Sequence, residues 1–291
     1  MIRNRAASTL VLVACALATM FSACGGSSLK STVDPVAVAA EKTVAAKTVH
    51  YSMTIQEQMP SLPTPVSMTA DGAMDFANEQ MSMSMDMSKL GSLGGAVGSP
   101  ADWKIEAVTD GLVMYMKAPF LQTLLKSDKP WIKLDMESIG KQQGLDLSSL
   151  MSYDPSQLTR FVDYLRGSKD MQVINHEQVR GIATTHYEGS VDFDAYLKAL
   201  PDDQRAAARK ALDNVSKLGK PQYGLFDVWV DGQQRIRREK FDYSVSGTSA
   251  GDMRIAYATD FFDYDVPVSI TIPPADQVAD LMQLAGSLGN G

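Results

Sequence analysis

From His50 onward, polar and apolar residues change places at every second position. Tyr51, Met53 and Ile55 alternate with Ser52, Thr54 and Gln56. Val66, Met68, Ala70, Met74 and Phe76 share a parity opposite to Ser67, Thr69, Asp71 and Asp75. Met81, Met83, Met85 and Met87 alternate with Ser82, Ser84, Asp86 and Ser88. A period of two predicts strands with one apolar and one wet face, as in antiparallel sheet. The links are short, with Pro60, Pro63 and Pro65 in one and Asn78 in the other, so these strands form a meander. Upstream the period is 3.6: Asp34 caps and Pro35 opens an alanine-rich helix to about Thr48, with Val36, Ala40, Val44 and Lys47 along one side.

Beyond a Gly/Ser-rich stretch at 91–100, strands are predicted near 103–108, 112–117 and 131–136. Asp110-Gly111 supplies a tight hairpin turn, and a short helix is predicted at 119–126. Residues 137–168 read as mainly helical, and Asp154-Pro155 starts a helix that turns Leu158, Phe161, Val162 and Leu165 inward. Strands follow near 171–177 and 180–193, then a charged helical pair over 194–216. Further strands lie near 225–230 and 235–245, joined by Asp231-Gly232, and near 252–260 and 266–272. A short amphipathic helix runs to about Ala285, and the tail 286–291 frays. No Gly/Pro-rich linker divides residues 34–285, which read as one α+β domain of about ten or eleven antiparallel strands. So many sequential strands in one sheet curl strongly. Helices over the concave face would then enclose an apolar cavity.

The first residues read as an address. Arg3 and Arg5 precede an apolar run from Leu10 to Phe21, too short to span a bilayer but of signal-peptide length. Phe21-Ser22-Ala23-Cys24, followed by Gly25 and Gly26, resembles the lipobox of bacterial lipoproteins. Residues 1–23 are then a cleaved signal, Cys24 the site of lipid attachment, and 24–33 a lipidated tether. Two acyl chains hold a protein at a membrane stably, which predicts an extracytoplasmic protein on the outer face of the plasma membrane.

Composition narrows the chemistry. Of 291 residues 45% are hydrophobic and 21% charged, enough for a sizeable core. A balance of 27 basic against 34 acidic residues, net −7, argues against nucleic acid as a partner. Cys15 and Cys24 are the two cysteines and both lie in the leader region, so the body has no thiol for catalysis, zinc or a disulfide. His50, His176 and His186 leave little for a metal site. There is no His-Glu-x-x-His helix and no phosphate loop. Neither an enzyme nor a cofactor is expected.

The methionines are the most informative residues, eight of the 17 lying between Met53 and Met87. A thioether is unbranched and polarizable, and suits an adaptable surface for flexible apolar ligands. The expected ligand cavity is lined by Met53, Ile55, Met68, Met74 and Phe76, by Met81, Met83, Met85 and Met87, and by Leu112, Met114 and Met116. Filling a solid core is the equally weighted alternative for them. A copper site fits poorly, because same-face side chains on one strand step by about 6.8 Å, whereas two sulfurs on one metal lie within about 4.6 Å. Tyr187 and Phe193 read as core and His186, with Ile182, Thr184 and Glu188, as polar-face structure. In a strand His176 and Glu177 diverge and form no dyad. Arg237 and Arg238 read as cross-strand ion pairs, with lipid phosphate contacts as the alternative. Trp229 either lines the cavity or packs under a helix.

Three stretches carry a family resemblance. They are Gly181-Ile182-Ala183-Thr184-Thr185-His186-Tyr187-Glu188-Gly189-Ser190-Val191-Asp192, then Asp227-Val228-Trp229-Val230-Asp231 with Arg237-Arg238, then Asp263-Tyr264-Asp265-Val266-Pro267-Val268 leading to Ile272-Pro273-Pro274. With the lipobox and the helix at Asp34, they resemble actinobacterial lipoproteins of the LppX/LprG/LprA/LprF type, related in fold to the LolA and LolB carriers. The resemblance implies a half-barrel whose helices close a cavity for acyl chains, and carriage of lipids or lipoglycans in the cell envelope. The expected partners are a lipid or lipidated ligand and the membrane. The alternative is an envelope-stress sensor or scaffold that binds a protein partner through the same fold.

Overall fold

The computed structural model describes residues 35–58, 65–87, 103–142, 171–190, 220–248 and 251–284, with scattered helical positions between 197 and 213. The signal, Cys24, the tether, the 91–100 stretch, the helix at Asp154-Pro155, Phe193 and the 286–291 tail lie outside the described residues.

Helix α1 (Pro35–Ala45) starts where proline fits a first helical turn. Its buried side is Val36, Ala37, Ala39, Ala40 and Thr43, while Val44 is partly exposed and Lys47 exposed. Val36 and Ala40 are buried as predicted, and the buried side extends to Ala37, Ala39 and Thr43 rather than to Val44 and Lys47. Thr43 Oγ1 accepts a hydrogen bond from the Ile236 amide at 2.8 Å.

The strands are β1 (Thr48–Gln58), β2 (Val66–Asp75), β3 (Gln80–Asp86), β4 (Lys104–Asp110), β5 (Val113–Lys117), β6 (Trp131–Asp135), β7 (Gln172–Val179), β8 (Ile182–Ser190), β9 (Lys220–Asp231), β10 (Ile236–Thr248), β11 (Gly251–Phe262) and β12 (Val278–Asp280). Helix α2 (Pro119–Leu125) precedes β6 and α3 (Met136–Gln142) follows it. The order across the single sheet is β12-β6-β5-β4-β3-β2-β1-β11-β10-β9-β8-β7. Two meanders, β1–β6 and β7–β11, meet at the antiparallel pair β1/β11. β12 joins β6 in parallel, and the outer strands β12 and β7 do not pair, so the sheet is not a closed barrel.

Turn chemistry follows the sequence. Gly111 takes φ +54° between β4 and β5, a left-handed setting glycine tolerates. In the β9–β10 turn Asp231 Oδ1 accepts the amides of Gln233 and Arg235 at 2.9 Å.

The C-terminal segment differs from expectation. Residues 266–272 form no strand, although their alternation predicts one. Pro267 has no amide to donate, Val266 is exposed, and the backbone here works as a clasp on the start of β1. Thr48 Oγ1 donates to the Val266 carbonyl at 2.6 Å, and the Asp265 amide to the Thr48 carbonyl at 2.9 Å. The helix predicted to Ala285 is instead a 3-10 turn (Ala275–Gln277), then β12, then four helical residues at 281–284.

One contact ties three strands together. Tyr51 of β1 is fully buried, and its hydroxyl donates to the Ser82 carbonyl of β3 at 3.1 Å. The ring reaches across Gly72 of β2, its register partner. A Cβ on Gly72 would lie 2.0 Å from that carbonyl oxygen and 2.6 Å from the ring.

Candidate functional site

Register assigns each side chain to one of two faces, because directly paired residues point the same way. Three rows cross the first meander on one face: Val49, Met74, Met81, Thr109, Met114 and Leu134; Tyr51, Gly72, Met83, Ala107, Met116 and Ile132; Met53, Ala70, Met85 and Ile105. Across the β1/β11 seam the same face continues through Phe261, Thr259, Tyr257 and Ile255, then Glu239, Phe241 and Tyr243 of β10, Phe226 and Val228 of β9, and Tyr187 and Gly189 of β8. The buried side of α1, with Ala118 and Leu121 at α2, belongs to the same hydrophobic cluster.

The two halves of this apolar face differ in access. Met53, Ile55, Met68, Met81, Met83, Met85, Met87, Met114 and Met116 are all buried, Met81 at 2% and Met83 at 3% exposure. Met74 and Phe76 are partly buried against them. Side chains with so little accessible surface touch protein atoms on nearly every side. Leu112 stands apart: it sits in the β4–β5 turn, not on the strand predicted for it, and is not in the cluster. On the other half Tyr187, Phe241, Tyr243, Ile255 and Tyr257 keep part of their surface open. Of this half the sequence pointed to Tyr187 alone, because the rest depends on the β1/β11 pairing of residues some 200 positions apart.

Two carboxylates lie on the apolar face. Glu57 pairs in register with Ile255 and Val66, and burial raises its carboxyl above the usual range. Glu239 pairs with Thr259 and Val228, and burial pushes its carboxyl up to about 7. Burial and then the Glu239 charge hold the Tyr257 hydroxyl well above the ordinary tyrosine range.

The opposite face of β7–β11 carries a polar network. His186, read as polar-face structure, lies on that face and is buried there: its ring stacks on Trp229 at 4.0 Å and Nε2 meets Asp227 Oδ1 at 2.7 Å. Trp229 Nε1 donates to Glu177 Oε1 at 2.5 Å, and its register with His186 turns the indole to the face opposite the apolar one. His176 turns away from this group and meets Thr185 Oγ1 at 3.2 Å. Arg238 binds Asp260 through two hydrogen bonds of 2.5 and 2.8 Å, and Arg237 binds Asp231 at 2.6 Å, as cross-strand pairing predicts. Among the described residues no hydroxyl or thiol bonds to His186, and no group of three or more His, Cys, Asp or Glu could hold a metal ion. The reading that the sequence holds no Gly-x-Ser-x-Gly elbow is corrected: Gly247-Thr248-Ser249-Ala250-Gly251 has that spacing. The described strands on either side of it, β10 and β11, pair antiparallel, whereas the elbow leads from a strand into a helix.

No family model matches the chain. It is 26% identical over 262 residues, 85% of this chain and 80% of the other, to an uncharacterised 31.2 kDa protein of the rplA–rplJ intergenic region of Streptomyces griseus. Among solved structures it is similar to lipoprotein LppX of Mycobacterium tuberculosis, with 14% identity and a TM-score of 0.44 over 82% of this chain and all of that one. LprF from Mycobacterium bovis follows, with 14% identity and a TM-score of 0.41 over 82% and 95%. What the apolar face can do follows from its own residues.

Proposed function

We propose that this is an envelope lipoprotein, anchored through acylated Cys24 at the outer face of the plasma membrane, that holds the hydrocarbon chains of a lipid or lipidated molecule without covalent chemistry. The carrying observation is the partly open aromatic half of the apolar face beside a tightly packed methionine half. The methionine side supplies a firm wall, and the aromatic side supplies surface that a chain could cover. Moving hydrocarbon out of a membrane into water costs about 0.8 kcal/mol per CH₂, so carriage needs a dry surface of this kind. In the LppX/LprF-type reading, that surface would be the floor of a cavity under the helices.

A second reading is favoured by one observation. The outer strand β7 is exposed along nearly its whole length, with Val173 at 56% and Ile174 at 46% exposure. A free strand edge can pair with an extended segment of another protein, as a sensor or scaffold would require.

The test is extraction of the purified protein with organic solvent and mass spectrometry of the extract. Near-stoichiometric lipid is expected. A clean extract, with no uptake of a fluorescent fatty acid, would leave the partner reading standing. For the anchor, Cys24→Ala should move the protein from the membrane fraction to the medium.

A further inference from the structure

Strand β10 carries five charged side chains, and four have counter-ions. Arg237 lies 2.6 Å from Asp231, Arg238 2.5 Å from Asp260, Lys240 3.9 Å from Asp227, and Asp242 2.6 Å from Arg254. Glu239 is the exception: among the described residues nothing donates a hydrogen bond to it or pairs with its charge. Its register partners are Thr259 and Val228, and Phe241 and Tyr257 occupy the next row of the same face. Arg237, two residues away along the strand, is held by Asp231 and packed on the Tyr264 ring, and so does not pair with Glu239.

Burial strips enough water from this carboxyl to raise it to about 7, yet the residue keeps accessible surface. Glu239 thus stands among the partly open side chains Phe241, Tyr257 and Ile255 of the same face. An unpaired carboxyl in such a place costs stability, and the cost is offset when a molecule covering these side chains brings a donor. An anionic head would be repelled there.

We propose that Glu239 is the polar anchor of the ligand site. It accepts a hydrogen bond from the donor-bearing head, a hydroxyl or an amine, of a molecule whose hydrocarbon part rests on Phe241, Tyr257 and Ile255. This rests on the apolar face being a ligand surface, as proposed above.

The experiment is displacement of Nile red from the purified protein by 1-hexadecanol, hexadecylamine and 1-methoxyhexadecane, which share a chain and differ in donors. The alcohol or the amine should displace the dye at concentrations about tenfold lower than the ether, the scale of one buried hydrogen bond. Glu239→Leu should bring all three within about twofold of each other by removing that bond. It also takes a charge out of an apolar setting, so its melting temperature should not fall, and a lost preference would not reflect unfolding. In Glu239→Gln, loss of the amine preference alone assigns an amine head, and retention of the alcohol preference assigns a hydroxyl. Equal displacement by ether, alcohol and amine in the unmodified protein overturns the anchor but leaves the ligand surface intact. A preference that survives in Glu239→Leu does the same. Failure of the protein to take up Nile red at all overturns both.

Discussion

At Gly72 a single added carbon would collide with two groups the sheet cannot move. Backbone carbonyl and buried ring both lie within 3 Å of its position, so Gly72→Ala should cost about 3 kcal/mol in urea unfolding. Tyr51→Phe, which removes only the hydroxyl bonded to Ser82, should cost about 1 kcal/mol. If Gly72→Ala costs no more than Tyr51→Phe, the crossing of β2 by the ring is wrong. Glu239 predicts a pH dependence with a definite sign. Its folded-state carboxyl titrates near 7, above the ordinary 4.5 of an unfolded chain. Below 4.5 both states are protonated and no penalty applies. Stability then falls as pH rises from about 4.5 to about 7, by on the order of 3 kcal/mol. Glu239→Gln should flatten the melting temperature between pH 5 and pH 8. An unchanged slope would place that titration elsewhere. Asp242, lowered by Arg254, works at the acid end, where its contribution is lost below the usual carboxylate range.

At the scale of elements, the β9–β10 turn depends on one buried carboxylate. The Asp231 side chain is fully buried, bonds Arg237 and accepts two turn amides. Asp231→Ala leaves the guanidinium of Arg237 buried without its partner and should cost about 3 kcal/mol. Adding Arg237→Met should recover part of that loss, measured by denaturant midpoint. A double variant no better than the single would contradict a paired-charge role. The strands themselves were legible, since Met81, Met83 and Met85 with Ser82 and Ser84 can only be a two-faced strand. So were the start of α1 at Pro35, the turn at Gly111 and the ion pairs of Arg237 and Arg238. Residues 266–272 were misread because alternation says nothing about whether a neighbouring edge is free to pair. The burial of His186 was missed because its stack on Trp229 comes from the pairing of β8 with β9, which local pattern does not encode. Glu239 was passed over for the same reason: one residue of slip in register would turn it outward.

Across the whole molecule, two meanders joined at β1/β11 give one face a tightly buried half and a partly open half. The methionine half is packed as a wall, and charge placed in it should break the fold. Met83→Lys should therefore lower stability by about 3 kcal/mol or more. Phe241→Ser, on the partly open half, should cost less stability and reduce lipid uptake. A Met83→Lys protein with normal stability and lost uptake would put the ligand on the methionine side instead. The most direct test of the account is photolabelling of the purified protein with a long-chain alcohol carrying a diazirine in its chain, followed by peptide mapping. Adducts are predicted on β10 and β11 around Phe241, Ile255 and Tyr257. Labelling confined to β3 and β5, to the exposed β7 edge, or absent altogether would contradict it.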